Sequence, residues 1–339
     1  MDSLTQIVLG AACGEAVLGK KIGNKALLLG AIGGTIPDLD VFVGKWVFNN
    51  QIDAMLFHRG FMHAILFSIL AALLLGQITH TLHQRKSKIY VTKKQWIWLW
   101  FLSLFTHPLL DCFTPYGTQL FLPFSNHRVA LNNIAVVDPL YTLPFLLCII
   151  IIMCFNRTNN KRKLWLNIGF SISSLYMLLT LANKVYINNT FKNSLDDLNI
   201  KYNRYSTQPA IFNNLLWYGI AEGNTSYYIA NYSLLDTKNR FLNVVELPKQ
   251  RDLLPKNFKD LKKLAWFSNG YYSVYKIKNN LYQYNDLRYP LLDIKNPNSS
   301  VFNLKLFKKD KRLDVKPSKP KYGKLGDVFK TMWIRIKGI

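Results

Sequence analysis

Ten ionisable residues interrupt apolar sequence in the first half of the chain: Asp38, Asp40, His58, Arg59, His63, His107, Asp111, His127, Arg128 and Asp138. Carboxylates and imidazoles beside hydrocarbon are expensive, and by default they mark a functional site. His107 and Asp111 are four apart, so on a helix they share a face and can grip one cation; Pro108 between them predicts a kink or a first-turn position. Asp38 and Asp40 follow Pro37. In extended backbone they point to one side, and either can instead cap a following helix. His58 and His63 are five apart, a poor same-face pair, so a helix is expected to begin between them, near Gly60-Phe61, with His63 in its first turn. Imidazole nitrogens and carboxylate oxygens suit zinc, and also manganese or iron. No thiolate is implied: Cys13, Cys112, Cys148 and Cys154 lie in apolar stretches without a C-x-x-C pair and read as small buried hydrophobes. Asp138, before Pro139, reads as a helix cap. His127-Arg128 is either a substrate contact or a solvated loop.

The elements that must position these groups are apolar. Residues 62–82, 96–113, 136–155 and 164–182 each approach the roughly 20 residues that cross about 30 Å of hydrocarbon. Residues 4–18 and 22–36 are apolar but short, and small residues recur four apart at Gly10/Gly14 and Gly30/Gly34, a spacing that lets helix backbones approach closely. They read as a tight helical hairpin that spans or re-enters. A cleaved signal peptide is not expected, because Asp2 opens the chain and Lys20 and Lys21 come after the apolar stretch.

Loop charge gives an orientation. Lys20, Lys21 and Lys25, then Arg85, Lys86, Lys88, Lys93 and Lys94, then Arg157, Lys161, Arg162 and Lys163 form three basic loops. With six helices all three fall on one side, which the positive-inside rule makes cytoplasmic. Loops 37–61 and 114–135 and everything after about residue 183 then lie outside. Asp38, Asp40, His58, His63, His107 and Asp111 come out together on that outer side.

Of 339 residues, 50% are hydrophobic, yet the formal charge is +24 and the mean hydropathy +0.05, so apolar and charged residues are segregated. Residues 1–182 carry a net +8 and residues 183–339 a net +16. An ordinary soluble enzyme, a disordered chain and a disulfide-rich secreted module are all disfavoured. The second part is rich in Asn, Lys and Tyr, with strand candidates at 227–233, 241–246, 271–277, 281–284 and 301–307, a short helix at 254–266, an irregular Lys/Pro-rich stretch at 308–324 and a last apolar piece at 328–336. The expected architecture is an all-α polytopic membrane domain over residues 1–185, with about six helices of which the first two are short. A β-rich or α+β extracytoplasmic domain over 190–339 follows.

The opening Met1-Asp2-Ser3-Leu4-Thr5-Gln6, then Pro37-Asp38-Leu39-Asp40, His58-Arg59-Gly60-Phe61-Met62-His63, His107-Pro108-Leu109-Leu110-Asp111, Tyr116-Gly117-Thr118-Gln119 and Asp138-Pro139-Leu140-Tyr141 resemble the YdjM-like family of bacterial inner-membrane proteins. The resemblance covers roughly residues 1–155 and implies a metal-dependent hydrolase of the inner membrane. The family is itself distantly similar to the zinc-dependent phospholipase C and P1 nuclease group. The implied metal ligands are Asp38, Asp40, His63, His107 and Asp111. Gln6 departs from the family, which often has His there, and one or two ions are expected instead of three.

The resulting expectation is hydrolysis of a phosphoester in a lipid or cell-envelope substrate by a metal-activated water. His58, Arg59 and Asp40 are the candidate catalytic groups, and Arg128 and His127 the candidate substrate contacts. Two other classes stay open: a transporter or proton-coupled membrane protein, and a scaffold with a structural metal. The bilayer is an expected partner. Nucleic acid is not, because no recognition module accompanies the basic charge.

Overall fold

The computed structural model describes residues 1–254, 258–291, 299–309, 311–316 and 325–339. It divides into two compact units, Met1–Val47 with Phe57–Leu181, and Phe48–Leu56 with Ala182–Ile339.

The first unit opens with α1 (Ser3–Ile22), capped by Asp2, which accepts from the Thr5 amide at 3.0 Å. A left-handed turn at Gly23 (φ 60°) leads into α2 (Asn24–Thr35). The expected tight hairpin is present. A Cβ at Gly14 would stand 2.1 Å from the Ala26 carbonyl oxygen, and one at Gly30 2.2 Å from that of Gly10, so only hydrogen fits where the helices cross. Pro37 turns the chain into a 3₁₀ segment, Ile36–Leu39, before α3 (Asp40–Val47). After the short α4 (Gln51–Phe57), which belongs to the second unit up to Leu56, come a second 3₁₀ turn, Phe61–His63, and α5 (Ile65–Lys86). α6 (Lys93–Asp111) starts at a Thr92–Gln95 capping box. α7 (Pro139–Met153) is capped by Asp138, as its place before Pro139 predicts. α8 (Lys161–Asp197) is a single 37-residue helix.

The expected count of about six membrane helices does not hold. Among the described residues three helical segments are long and apolar enough to cross a bilayer: Asn24–Val47, Ile65–Lys86 and Lys161–Asp197. α7 has 15 residues, about 22 Å at 1.5 Å each and short of the hydrocarbon thickness. α6 is long enough but opens with Lys93, Lys94 and Gln95 and closes with His107 and Asp111, while α1 buries Gln6 and Glu15. Exposed Leu70, Leu73 and Leu74 on α5 and Leu175, Leu178 and Leu179 on α8 form the apolar outer surface that a bilayer requires.

The three basic loops gather at one end of this unit. Lys21 Nζ donates to the Tyr90 carbonyl (3.0 Å) and to Gln95 Oε1 (2.9 Å), and Arg157 Nη1 donates to the Lys21 carbonyl (2.6 Å). Beside them Arg162 is fully engaged inside the protein. It forms a forked pair with Glu15 (2.8 and 2.6 Å) and donates to Asn24 Oδ1 and to the carbonyls of Ile152 and Phe155.

The second unit holds two four-stranded antiparallel meanders. One is β1 (Arg204–Pro209), β2 (Leu216–Glu222), β3 (Ser226–Ser233) and β4 (Leu242–Pro248). Ile187, Phe191 and Leu195 of α8 pack with its Trp217, Ala230 and Tyr232. The other is β5 (Tyr272–Lys278), β6 (Leu281–Asp286), β7 (Asn303–Lys309) and β8 (Arg312–Lys316), preceded by α9 (Lys259–Phe267). Its core joins Leu261, Leu264, Val274, Tyr284, Leu306 and Leu313 to Ile52 of α4. The chain closes with α10 (Leu325–Ile336).

The five strand candidates fall on β3 to β7, and the apolar piece 328–336 lies in α10. The helix expected at 254–266 is α9, with residues 255–257 outside the described residues. The stretch 308–324 is not irregular where it is described, because β7 runs to Lys309 and pairs with β8; residues 310 and 317–324 lie outside the described residues. β1, β2 and β8 were not foreseen. All seven residues of β2 are buried, so no alternation marks it.

Candidate metal centre

The 3₁₀ turn that contains Pro37 sets how the two acids are presented. The chain there is 3₁₀ and α, not extended, so Asp38 and Asp40 do not point to one side. They go to opposite nitrogens of one ring: Asp38 Oδ1 lies 3.6 Å from His63 Nε2, and Asp40 Oδ2 lies 3.0 Å from His63 Nδ1. Asp40 does not cap a helix with its carboxylate. Its Oδ1 is 2.7 Å from His58 Nδ1 and its Oδ2 accepts from the Arg59 amide at 2.9 Å. His63 sits in the 3₁₀ turn ahead of α5, with Ala64 extended between them, so it precedes the first helical turn. Arg59 holds φ 61°, an uncommon conformation for a long side chain, and Gly60 follows where a Cβ would meet the Phe57 carbonyl oxygen at 2.8 Å. This sharp turn sets His58 and His63 about one cluster although their spacing is not helical.

On α6 the four-residue spacing works as read: His107 Nε2 is 3.6 Å from Asp111 Oδ2. Pro108 lies inside the helix, which continues to Asp111. His107 Nε2 is also 3.4 Å from Asp38 Oδ1, and His63 Nε2 is 3.5 Å from Asp111 Oδ2. These separations are longer than a good N–H···O bond. They are close to the edge of a tetrahedron around a cation with 2.0–2.1 Å bonds, about 3.3 Å.

The remaining nitrogens explain why. His107 Nδ1 is 2.5 Å from the Gly34 carbonyl oxygen, so it carries the proton and leaves the Nε2 lone pair facing Asp38 and Asp111. His63 Nδ1 lies 3.0 Å from Asp40 Oδ2 without forming a well-aligned hydrogen bond. His63 Nε2, His107 Nε2 and Asp111 Oδ2 are buried with no hydrogen-bond partner. Asp38, His63 and His107 offer ligand atoms within 4.8 Å of one another, and so do Asp40, His58 and His63. His63, with both nitrogens unpartnered, belongs to both trios, but in the second Asp40 is already hydrogen-bonded to His58 and to the Arg59 amide. The residues present therefore fit a divalent cation among Asp38, His63 and His107, with Asp111 beside both rings and Asp40 and Gly34 fixing the two rings.

Gln6 occupies the position of the absent His. Its Nε2 donates to Asp111 Oδ1 (3.0 Å) and to the His107 carbonyl (3.2 Å), while its Oε1 is buried with no hydrogen-bond partner. The Met1 backbone nitrogen also contacts Asp111 Oδ1.

Arg59 is part of the cluster: its Nε is 3.1 Å from Asp111 Oδ2 and its Nη1 donates to Thr114 Oγ1 at 2.9 Å. The ring of Tyr116 lies 4.6 Å from its guanidinium and 5.1 Å from that of Arg128. Arg128 is thus brought near the cluster, donating as well to the Gly117 carbonyl. His127 is exposed on its loop and stands apart. Asp138 takes the Tyr176 hydroxyl at 2.9 Å and serves α7. Burial holds the His58 imidazole below its ordinary pKa, against the opposing pull of Asp40. Sequence reasoning gave Tyr116 and Thr114 no role, and Gly34 only one in helix packing. Tyr116 stood in a family-like motif, but a carbonyl and a hydroxyl that only orient other groups leave no pattern.

A helical unit with three segments long and apolar enough to cross a bilayer, together with a buried Asp/His cluster, defines a membrane protein with a candidate metal site. Residues 1–187 match the model of the YdjM inner membrane protein family, and the chain belongs to that family. It is 29% identical over 159 residues to "Uncharacterized protein YfhP" of Bacillus subtilis (strain 168), a match covering 44% of this chain and 46% of that protein. The chain therefore spans less than half the length of that relative. No solved structure matches. Neither match names a phospholipase or a nuclease.

Proposed function

We propose that the chain is a membrane-bound, metal-dependent hydrolase acting on a phosphoester of a lipid or cell-envelope substrate. The observation that carries this reading is the pair of buried imidazoles, with Nδ1 turned toward Asp40 in one and bonded to the Gly34 carbonyl in the other, and Nε2 of each turned toward Asp38 and Asp111 at 3.4–3.6 Å. A divalent cation there, zinc by donor type, supplies Lewis acidity and a water acidic enough to attack near neutral pH. Asp38, His63, His107 and Asp111 hold it. Asp40, first read as both ligand and catalytic group, acts by orienting His63 and His58. The half-buried His58, tied to Asp40 through Nδ1, accepts or returns a proton at its other nitrogen. Arg59 and Arg128, both against Tyr116, concentrate positive charge beside the cluster and bind the anionic oxygens of the phosphoester.

The gathering of the basic loops at the opposite end of the unit supports a cytoplasmic placement for them and an extracytoplasmic one for the site and for residues 190–339. Position at the lipid boundary favours an amphiphilic substrate. The test is metal analysis of detergent-purified protein, wild type beside His107→Ala, with phospholipid and phosphodiester turnover measured on the same samples. Metal and turnover lost together support the hydrolase. Stoichiometric metal without turnover supports the scaffold, and solute or proton flux from reconstituted vesicles the transporter.

A further inference from the structure

The C-terminal helix α10 has an outer face that the second unit leaves uncovered. At about 100° per residue, Phe329, Trp333, Lys337, Lys330 and Ile334 follow one another around a continuous arc. Trp333 is 59% and Ile334 60% exposed. Residues flanking and opposite this arc pin the helix to the unit: Ile336, next to Phe329 on the wheel, is buried with Ala210 and Leu216, and Arg335 on the far side pairs with both oxygens of Asp236 at 2.7 Å. The helix is therefore firmly seated, and its aromatic and aliphatic side chains still face outward.

The loop between β1 and β2 extends this face. Ile211, Phe212 and Leu215 are exposed there, and the Phe212 ring lies 5.8 Å from that of Phe329. Phe212 holds φ 67°, a strained conformation for an aromatic residue, and its side chain is exposed. Neighbouring Asn214 accepts from Asn183 of α8 at 2.8 Å. Asn183 marks a level on α8: the exposed apolar row Leu175, Leu178 and Leu179 continues past it only to Val185 and Tyr186, before Asn188 and Asn189. That is where a span beginning near Leu164 has covered about 20 residues and leaves the hydrocarbon.

We propose that α10 and the β1–β2 loop form a foot on the leaflet surface at which α8 emerges. The face has the composition of an interfacial helix: Trp and Phe to enter the acyl boundary, with Lys330 and Lys337 among them to reach anionic headgroups. Lys337 Nζ lies 5.6 Å from the Trp333 ring, so charge and aromatic surface form one patch. This inference does not depend on the hydrolase reading.

The test uses the full chain in nanodiscs containing lipids brominated near the headgroup. An environment-sensitive fluorophore is placed at I334C and, as a second reporter, at W333C, with K262C as an exposed control away from this face and the exposed Cys154 replaced by Ser. Emission from positions 333 and 334 is expected to shift to the blue and to be quenched several-fold more by brominated lipid than emission from 262. Aqueous iodide should reverse that ranking. Equal iodide access at all three positions overturns the proposal. So does shielding at 333 and 334 without lipid quenching, or a disulfide joining two copies through I334C, either of which makes the face a protein contact.

Discussion

His107 Nδ1 lies 2.5 Å from the carbonyl oxygen of Gly34, a residue 73 positions earlier. That bond fixes which nitrogen faces the cluster, and the Asp40–His63 contact does the same for the other ring. Ligands and orienting groups should therefore separate in a titration. His63→Ala and His107→Ala are expected to lose bound metal outright. Asp40→Asn should keep one ion at high metal while its affinity falls about 10–100-fold. Equilibrium dialysis against zinc checks the order, and chelation of the wild type should abolish turnover until zinc is restored.

The Tyr116 ring meets two guanidiniums, and the ring of His58 lies edge-on to it at 5.5 Å. Tyr116→Ala should leave metal content unchanged and raise KM for an anionic phosphoester by about 5-fold, which corresponds to ~1 kcal/mol of lost cation–π contact. Tyr116→Phe should stay near wild type. Metal content and KM measured side by side distinguish this from general damage to the centre.

The Glu15–Arg162 pair is buried and every direction of the guanidinium is used. Arg162→Met strands a carboxylate inside the helical unit and should cost about 3–5 kcal/mol. Glu15→Leu combined with Arg162→Met should recover most of that loss. Thermal melts in one detergent for the two single variants and the double variant decide it.

At the α1–α2 crossing, Gly14→Val has no room, because the first added carbon already overlaps the Ala26 carbonyl. A loss of about 1–3 kcal/mol or more is expected, as for overpacking elsewhere. Gly326→Ala on α10, with nothing within 4 Å of its Cβ position, is the matched control in the same melts.

In the second unit, Glu222 receives Lys249 at 2.8 Å, Arg204 at 2.7 Å and Arg251 at 3.1 Å. Burial pushes its pKa up, but hydrogen bonds from Lys249 and Arg204 outweigh this and leave it below the ordinary value. A carboxylate depressed in the folded state stabilises above its unfolded pKa, and that contribution is lost as pH falls through the folded one. The unit should weaken below about pH 4. Glu222→Gln should flatten this acid limb, as read by near-UV circular dichroism of the tyrosines.

How much of this was legible follows from what each feature asks of the sequence. Asp38, His63, His107 and Asp111 stood out because ionisable side chains are rare beside hydrocarbon, and the glycines of the hairpin because their four-residue spacing has few other uses. Helix number was harder: α6 and α7 form as helices, yet one is too polar and the other too short to count as a span, and apolar runs alone did not separate these cases. Arg162 was counted among loop charges because its partner, Glu15, lies 147 positions away. The division of labour at Asp40 depended on a 3₁₀ turn that Pro37 permits but does not dictate. Of α4 nothing was visible, since seven residues with one fully buried side chain, Ile52, are too few to carry a periodicity.

That last segment has a further bearing. The backbone passes from one unit to the other three times, at 47/48, 56/57 and 181/182. Asn50 Nδ2 donates to the Leu313 carbonyl at 2.9 Å, and Ile52 is wholly buried in the β-unit core. A protease that nicks α8 near residue 182 would thus release nothing: the β-unit would stay threaded to its helical neighbour through residues 48–56. A recombinant fragment beginning at Ala182 would lack a plug for its own interior, so it should be produced with that peptide supplied in trans or fused ahead of it.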